Sequence, residues 1–210
     1  ADALVKKDYL PRVKVIHNGF DENYFYEEPH KEKFTEKLIF NGNITRHGKF
    51  RNFEYIFDAL NSDKLSTKTL EIYGANEKES EYLNNLIQFK NVNNVKIFPY
   101  LKRNDIAKKI RESDIGLLIN NSDDNHAKYY SSPLKYFEYL GSGLNVLAVN
   151  LPSHEKLPFS EYITFFKEGD KDSFINALTD IKNFPTKEKI KLKEFSSINR
   201  AKAIINFIDN

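Results

Sequence analysis

The sequence predicts an α/β fold in which helices cover both faces of a mostly parallel sheet. Short segments rich in β-branched and aromatic residues alternate along the chain with longer amphipathic segments. Each amphipathic segment is long enough to be a helical crossover between parallel strands. Hydrophobic residues make up 40% of the 210 residues, with 17 Phe and 12 Tyr, which excludes intrinsic disorder.

Seven segments have the pattern of buried strands. They are residues 13–16, 38–41, 70–73, 95–98, 115–119, 146–149 and 162–165. Helical periodicity lies between them, at 53–60, 79–89, 104–112, 133–140 and 171–182. A last helix is expected over 197–208, and its apolar residues at helical spacing predict that it docks on the body of the protein.

Charge and cysteine content exclude several kinds of protein. The 32 Lys and Arg residues nearly balance the 30 Asp and Glu residues, so the formal charge of +2 argues against a dedicated nucleic-acid-binding protein. Without cysteine there is no disulfide framework, thiolate nucleophile or cysteine-based zinc site. The longest apolar runs, at 115–119 and 146–149, fall far short of the roughly 20 residues of a membrane-spanning helix. We therefore expect a cytoplasmic protein whose contact with the inner face of a membrane is at most peripheral.

Glycines follow the carboxyl ends of three predicted strands, at Gly19, Gly42 and Gly74. In an open α/β sheet, ligands bind at this edge. Glycine at a strand end also makes ordinary turns, so position alone leaves both interpretations open.

The most informative segment is 131–143, which reads SSPLKYFEYLGSG. Ser132 is expected to cap a helix that starts at the following proline. Free amides at Leu134 and Lys135 would then form an anion site, reinforced by the helix dipole and by the Lys135 ammonium. Glu138 shares the face of Lys135 and can accept hydrogen bonds from ribose hydroxyls. The alternative is an ordinary capped helix with a surface ion pair.

A basic loop at 42–52 connects a predicted strand to a predicted helix. It contains Arg46, Lys49 and Arg51, although the chain has only six arginines. Guanidinium groups are well suited to phosphate oxygens. The segment is not a Walker A loop, because no Gly-Lys-Ser/Thr follows. It is either a phosphate-binding loop or a solvated basic loop.

Asp123, Asp124 and Asn125 form a pattern of the kind that can bind a metal ion. No further ligands lie at metal-compatible spacing, and the five histidines show no i, i+3 or i+4 pairing. We interpret the segment as a polar loop and expect neither a metal nor another cofactor.

Six segments carry a family resemblance when they are taken in order. They are VIHNGFD at 15–21, LIFNG at 38–42, LEIYG at 70–74, NVKIF at 94–98, SDIGL at 113–117 and SPLKYFEYL at 132–140. In this order they resemble the carboxyl-terminal half of a GT-B fold glycosyltransferase, in particular one of the large retaining family 4. The resemblance implies a Rossmann-like domain over 13–210 that binds the donor nucleotide sugar. It also implies that residues 1–12 are a linker remnant from a missing N-terminal acceptor domain.

The resemblance assigns roles at the nucleotide end of the donor. Glu138 matches a glutamate that binds the ribose hydroxyls. Tyr100 and Leu101 match a segment whose backbone meets the nucleobase. The amides of Leu134 and Lys135 match those that hold the distal phosphate.

At the diphosphate, Arg51 takes the position of the family's lysine, or Lys49 does if the loop is counted from Gly42. Arg46, Lys49 and Arg51 are therefore the expected catalytic cations. Asn43 stands where the family usually has an arginine, and Tyr130 where it has a glutamate that touches the transferred sugar. The remaining expected substrate-binding residues are Gly42, Asn43, Tyr130, Ser131 and Ser132.

The implied activity is that of a hexosyltransferase. It would move a sugar with retention from a nucleoside-diphosphate sugar to a glycan or lipid-linked acceptor, in polysaccharide biosynthesis. Protein cations would take the place of a metal, and the expected partners are the sugar donor and the acceptor domain rather than nucleic acid. One alternative is a non-catalytic nucleotide- or protein-binding module, which Tyr130 and Asn43 favour. Another is a sugar-nucleotide epimerase, disfavoured because no acid/base constellation is evident.

Overall fold

Six parallel strands form the central sheet of this computed structural model, which describes residues 14–26, 36–46, 48–185 and 188–209. The strands are β1 Lys37–Asn41, β4 Thr69–Tyr73, β5 Val95–Phe98, β6 Ile115–Leu118, β7 Asn145–Val149 and β8 Ile163–Phe166; β2 Thr45–Arg46 and β3 Lys49–Phe50 form a separate antiparallel hairpin. Across the sheet the order is β5-β4-β1-β6-β7-β8. From β1 the strands β4 and β5 are added on one side, and β6, β7 and β8 are then added on the other side. The order in which strands are added therefore reverses between β1 and β6, and this switch point is where such sheets bind ligands.

Helices fill the connections and cover both faces of the sheet. They are α1 Glu22–Phe25, α2 Glu54–Leu60, α3 Glu77–Lys90, α4 Arg103–Arg111, α5 Asn125–Tyr130, α6 Leu134–Gly141, α7 Pro152–Glu155, α8 Lys171–Thr179, α9 Glu188–Leu192 and α10 Ser197–Ile208. Leu38 and Phe40 enter one apolar cluster, and Ile39 between them enters a second. Because alternate residues of a strand point to opposite faces, the two clusters lie on the two sides of the sheet. The predicted α/β class, with a Rossmann-like parallel sheet, is confirmed.

The strands predicted between 38 and 165 are all present, with bounds that agree within one residue. The strand predicted at 13–16 is wrong for the residues that are described, since 14–19 have no regular structure, and Val13 lies outside them. Val15 is 58% exposed. The chain is anchored just after this segment, where Phe20 forms an isolated parallel bridge with Ser196. Residues 1–12, the expected linker remnant, also lie outside the described residues.

Helix α10 has the predicted bounds but not the predicted docking. None of its residues is buried, and Ile198, Ile205 and Ile208 are 53%, 56% and 73% exposed. The expectation that the helix docks on the body was wrong, because apolar spacing indicates an amphipathic helix without showing what covers it. In the described part of the chain, no helix combines the length and the apolar character needed to cross a membrane.

Candidate functional site

Two glycines let the loops at the carboxyl edge approach each other closely. Gly42 follows β1 with a φ of +136°, and Gly74 follows β4 with a φ of +107°. A Cβ at Gly74 would lie 2.7 Å from the carbonyl oxygen of Gly42, and a Cβ at Gly42 would lie 2.9 Å from Nζ of Lys135. Glycine at 42 therefore leaves the space into which the Lys135 ammonium reaches, over the end of β1.

Helix α6 carries Lys135 and begins one residue later than predicted. Pro133 is its N-cap residue, and no side chain caps the helix. The hydroxyl of Ser132 instead accepts a hydrogen bond from the backbone N–H of Asn18 at 3.2 Å, so the prediction that Ser132 caps the helix was wrong. Among the described residues, the amides of Leu134 and Lys135 have no acceptor. An uncapped helix start of this kind presents free N–H groups to an anion.

The Lys135 ammonium lies in a strongly electropositive environment. Its Nζ is 4.1 Å from the centre of the Phe40 ring, within the range of a cation–π contact. Burial lowers the pKa of Lys135 well below its ordinary value, and the positive charges of Arg51 and Arg46 lower it further, against the opposing effect of Glu138. An anion bound here would favour the charged ammonium, because a nearby negative charge raises a lysine pKa.

Arg51 is buried next to Lys135, with only 6% of its surface exposed. Its Nε donates to the carbonyl oxygen of Asn43 at 2.8 Å, and its Nη1 donates to Oδ1 of Asn120 at 2.8 Å and to the carbonyl oxygen of Ile119. These partners are all neutral. Burial, followed by the charge of Arg46, lowers the pKa of Arg51 to about 10, so the guanidinium stays charged at neutral pH.

The β2–β3 hairpin presents the other two cations, and α3 holds it in place. The backbone N–H of Thr45 donates to Oε1 of Glu79 at 2.8 Å, and the Phe50 ring stacks on Tyr82 at 4.1 Å. Glu79 also completes a capping box with Asn76 at the start of α3, so one carboxylate ties the hairpin to the helix. The hairpin therefore rests on a regular element rather than on a free loop.

Arg46 and Lys49 on this hairpin are paired with acids that follow β6. Nε of Arg46 is 3.5 Å from Oδ2 of Asp124, and Nζ of Lys49 forms an ion pair with Asp123. Asp124 is also the N-cap of α5, where it accepts from the N–H of His126 at 2.9 Å. The segment interpreted as a polar loop thus ends in a helix that starts at Asn125.

A cleft of about 230 Å³ separates the hairpin from the segment after β6. It is lined by Arg46, Lys49, Arg51, Asn121, Asp123, Asp124 and Asn125. The three cations expected to be catalytic therefore share one cleft. Within the described residues, no group of three or more His, Asp and Glu side chains is arranged to hold a metal ion.

Glu138 lies one turn after Lys135 on α6 and is partly buried. Burial raises its pKa, and the charges of Arg103 and Lys135 oppose this shift. Arg103 begins α4, pairs with Asp21 at 3.3 Å and covers the Tyr24 ring at 5.0 Å. Arg103 was not predicted from the sequence, although it lies only two residues after Leu101.

The other expected substrate-binding residues lie around these groups. Tyr100 follows β5 at the same sheet edge and is 81% exposed, whereas Leu101 packs against an apolar cluster. Tyr130 ends α5 and is 70% exposed, with its ring centre 6.4 Å from that of His126. Ser131 lies between α5 and α6 and is partly buried.

A buried polar pair behind Arg51 was also missed. Nδ2 of Asn120 lies 3.1 Å from Nε2 of His154, and Nδ1 of His154 lies 2.8 Å from the carbonyl oxygen of Val149. His154 is fully buried. Spacing along the sequence can indicate metal ligands, but it cannot reveal contacts such as this one between distant segments.

Together, the strand order and the switch-point site define a Rossmann-like α/β domain. No protein-family model matches the sequence, and no curated protein matches it. The fold is that of solved GT-B glycosyltransferases, each 12–15% identical to this chain. They include the apo form of the lipopolysaccharide outer core galactosyltransferase WaaB, with a TM-score of 0.64 and 13% identity, where the match covers 93% of this chain and 55% of that chain.

Two further solved structures show the same likeness. Anabaena HepE in complex with UDP-glucose gives a TM-score of 0.67 at 14% identity, with 93% of this chain and 57% of that chain covered. AviGT4, a glycosyltransferase involved in avilamycin A biosynthesis, gives 0.63 at 12% identity, with 93% and 56% covered. The chain thus spans about half the length of the structures it matches.

Proposed function

We propose that this domain binds the nucleoside-diphosphate sugar of a retaining glycosyltransferase of the family 4 type. The observation that carries the proposal is the position of Lys135. Its ammonium lies over the end of β1 at the switch point, beside the buried Arg51. Within the described part of the chain, no carboxylate lies within 4.0 Å of either cation. A diphosphate is the ligand that supplies the missing negative charge at this edge.

In the proposed reaction, negative charge builds on the diphosphate as the glycosidic bond breaks. Lys135, Arg51 and the open amides at the start of α6 would stabilise this charge. Removing one preorganised donor of this kind typically costs about 10²- to 10³-fold in rate. Arg46 and Lys49 would exchange their present carboxylate partners for phosphate oxygens. Since protein cations neutralise the diphosphate, the proposal requires no divalent metal.

At the other end of the donor, Glu138 would accept hydrogen bonds from the ribose hydroxyls. Tyr100 and Leu101 would meet the nucleobase, and Tyr130 would lie towards the transferred sugar. The enzyme containing this domain would be a cytoplasmic hexosyltransferase, with the acceptor bound by a second domain. Its product would be a cell-surface polysaccharide or a lipid-linked glycan.

Titration calorimetry with UDP, GDP and ADP in the presence of EDTA tests the proposal. We expect one of the three to bind selectively, and Lys135→Gln and Arg51→Ala each to weaken that binding at least tenfold. Lys64→Gln, which removes an exposed lysine after α2, is the matched control and should bind as the wild type does. Failure of all three nucleotides to bind would overturn the proposal and favour a partner-binding module.

A further inference from the structure

A continuous chain of hydrogen bonds leads from Arg51 into the protein interior, through Asn120 and His154 to the backbone of Val149. The heavy-atom distances along it are 2.8 Å, 3.1 Å and 2.8 Å. Asn120 is 6% exposed and His154 is fully buried. Buried polar side chains cost stability unless their hydrogen bonds are made. A series of hydrogen bonds that links three segments therefore restricts the orientation of each side chain in it.

The direction of every hydrogen bond in this chain follows from its two ends. The carbonyl oxygen of Val149 can only accept, so the nearby Nδ1 of His154 carries the ring proton. A neutral ring then has a lone pair on Nε2, which accepts from Nδ2 of Asn120. The amide oxygen of Asn120 is consequently turned towards the guanidinium of Arg51. Reversing the amide would place two donors against each other at Arg51 and two acceptors against each other at His154.

The surroundings of His154 keep its ring in this neutral form. Burial lowers the pKa of His154 to about 4; the hydrogen bond to Val149 opposes the shift, and the positive charges of Lys135 and Arg51 add to it. At neutral pH, Nε2 therefore remains an acceptor.

The same contacts leave one part of Arg51 available. Nε and both hydrogens of Nη1 are directed to Asn43, Ile119 and Asn120. Among the described residues, Nη2 has no acceptor within hydrogen-bond distance, and Arg51 lines the cleft. Fixing three of the five N–H groups determines where the other two point.

We propose that His154 is a positioning residue that acts through Asn120 to orient the Arg51 guanidinium towards the diphosphate. The inference rests on the proposed function, because it assumes a phosphate ligand for Nη2. His154 itself does not touch the ligand. Losing the acceptor on His154 frees the Asn120 amide to turn, and the guanidinium loses a fixed partner.

Calorimetry on four variants tests the inference, with pyrophosphate and the nucleoside diphosphate that binds the wild type as probes. His154→Leu should weaken binding of both ligands about tenfold. This is the lower end of the effect expected for losing one hydrogen bond to a charged group. His154→Gln keeps an acceptor at the position of Nε2 and should restore most of the affinity. In an Arg51→Ala background, adding His154→Leu should change affinity less than twofold, because the residue acts only through Arg51.

Two outcomes separate the inference from the proposed function. If the wild type binds none of the probes, the proposed function fails. If the wild type binds and a folded His154→Leu variant binds within twofold of it, the positioning role is overturned while the function stands. A measurement on the wild type does not depend on the folding of any variant. Its histidine ¹⁵N NMR spectrum at pH 7, assigned through correlations within the wild-type chain, should show a neutral His154 ring protonated on Nδ1, and a charged or Nε2-protonated ring would contradict the inference.

Discussion

Arg51 and Lys49 lie two residues apart in the basic loop, yet the fold gives them different environments. Arg51 is buried and bonded to neutral acceptors, whereas the Lys49 side chain is 64% exposed and paired with Asp123. The spacing of the loop allowed either one to be the main diphosphate cation. Sequence could not decide between them, because the β2–β3 hairpin sets which side chain turns inward. On burial and charge, Arg51 is now the stronger candidate for that role.

Glu138 should determine whether the site recognises a ribose. A carboxylate that accepts from a hydroxyl contributes roughly 10- to 100-fold in affinity, and replacing it with an amide loses the charge. Glu138→Gln should therefore weaken binding of the ribonucleoside diphosphate at least tenfold. It should weaken binding of the 2′-deoxy analogue less. Competitive titration of the two ligands measures this difference. Glu81→Gln on α3 is the control, and an unchanged preference in Glu138→Gln would contradict the assigned role.

The stability of the protein should depend on pH through His154. Its pKa is about 4 in the folded protein and about 6.5 for a histidine in an unfolded chain, so the unfolded chain binds more protons between these values. The contribution to stability is complete above pH 6.5 and is lost as the pH falls towards 4, up to about 3 kcal/mol. Lys135 and Arg51 are the cations that disfavour the charged ring.

Urea unfolding of the wild type and of His154→Gln, between pH 7 and pH 4.5, checks this prediction. The difference in unfolding free energy between the two proteins should shrink as the pH falls, because the variant has no ring to protonate. A difference that stays constant over this range would show that His154 does not titrate as its burial requires.

At the scale of elements, the sequence predicted the long units and missed the short ones. Strands β1, β6, β7 and β8 have nearly continuous apolar runs, because both faces of the sheet are covered there. The hairpin strands have two residues each, too few for any periodicity to appear. The start of α6 was misplaced because Ser132 and Pro133 fit a capping pattern, while the Ser132 hydroxyl bonds to Asn18, 114 positions earlier. That contact is tertiary and has no local signal.

The close approach of β1 and α6 can be tested at Gly42. In Gly42→Ala, the added methyl group would displace the Lys135 ammonium, and the alanine backbone would have to adopt a positive φ. We expect it to destabilise the protein by about 1–2 kcal/mol and to weaken diphosphate binding more than tenfold. Gly169→Ala is the matched control, since Gly169 has a φ of +75° and open space around it.

Calorimetry and thermal unfolding of the two alanine variants separate the causes. Both should lose stability, and only Gly42→Ala should lose affinity. If Gly42→Ala binds the diphosphate as tightly as Gly169→Ala does, the ammonium does not need its present position.

At the scale of the whole molecule, the protection of backbone amides against hydrogen exchange should follow burial. Strands β1 and β6 lie at the centre of the sheet with core residues on both sides, whereas no residue of α10 is buried. Amide hydrogen exchange followed by mass spectrometry should therefore be slowest in these two strands and among the fastest in α10. Protection of α10 equal to that of β1 would mean that its apolar face is covered in solution.

For the whole domain, the sequence predicted the fold class but not the contacts between distant segments. Alternating strand and helix patterns predicted the parallel sheet. Gly42 and Gly74 follow β1 and β4 at its carboxyl edge, whereas Gly19 follows no strand. The pattern of α10 predicted a helix but not its surroundings, and the link from Arg51 to His154 joins residues 103 positions apart. Contacts of this kind are properties of the assembled fold.

A crystal structure of the chain with its preferred nucleoside diphosphate tests the central claim most directly. The account predicts phosphate oxygens within hydrogen-bond distance of Nζ of Lys135, Nη2 of Arg51 and the first amides of α6. Phosphates bound elsewhere, with these groups left as they are in the free protein, would contradict it.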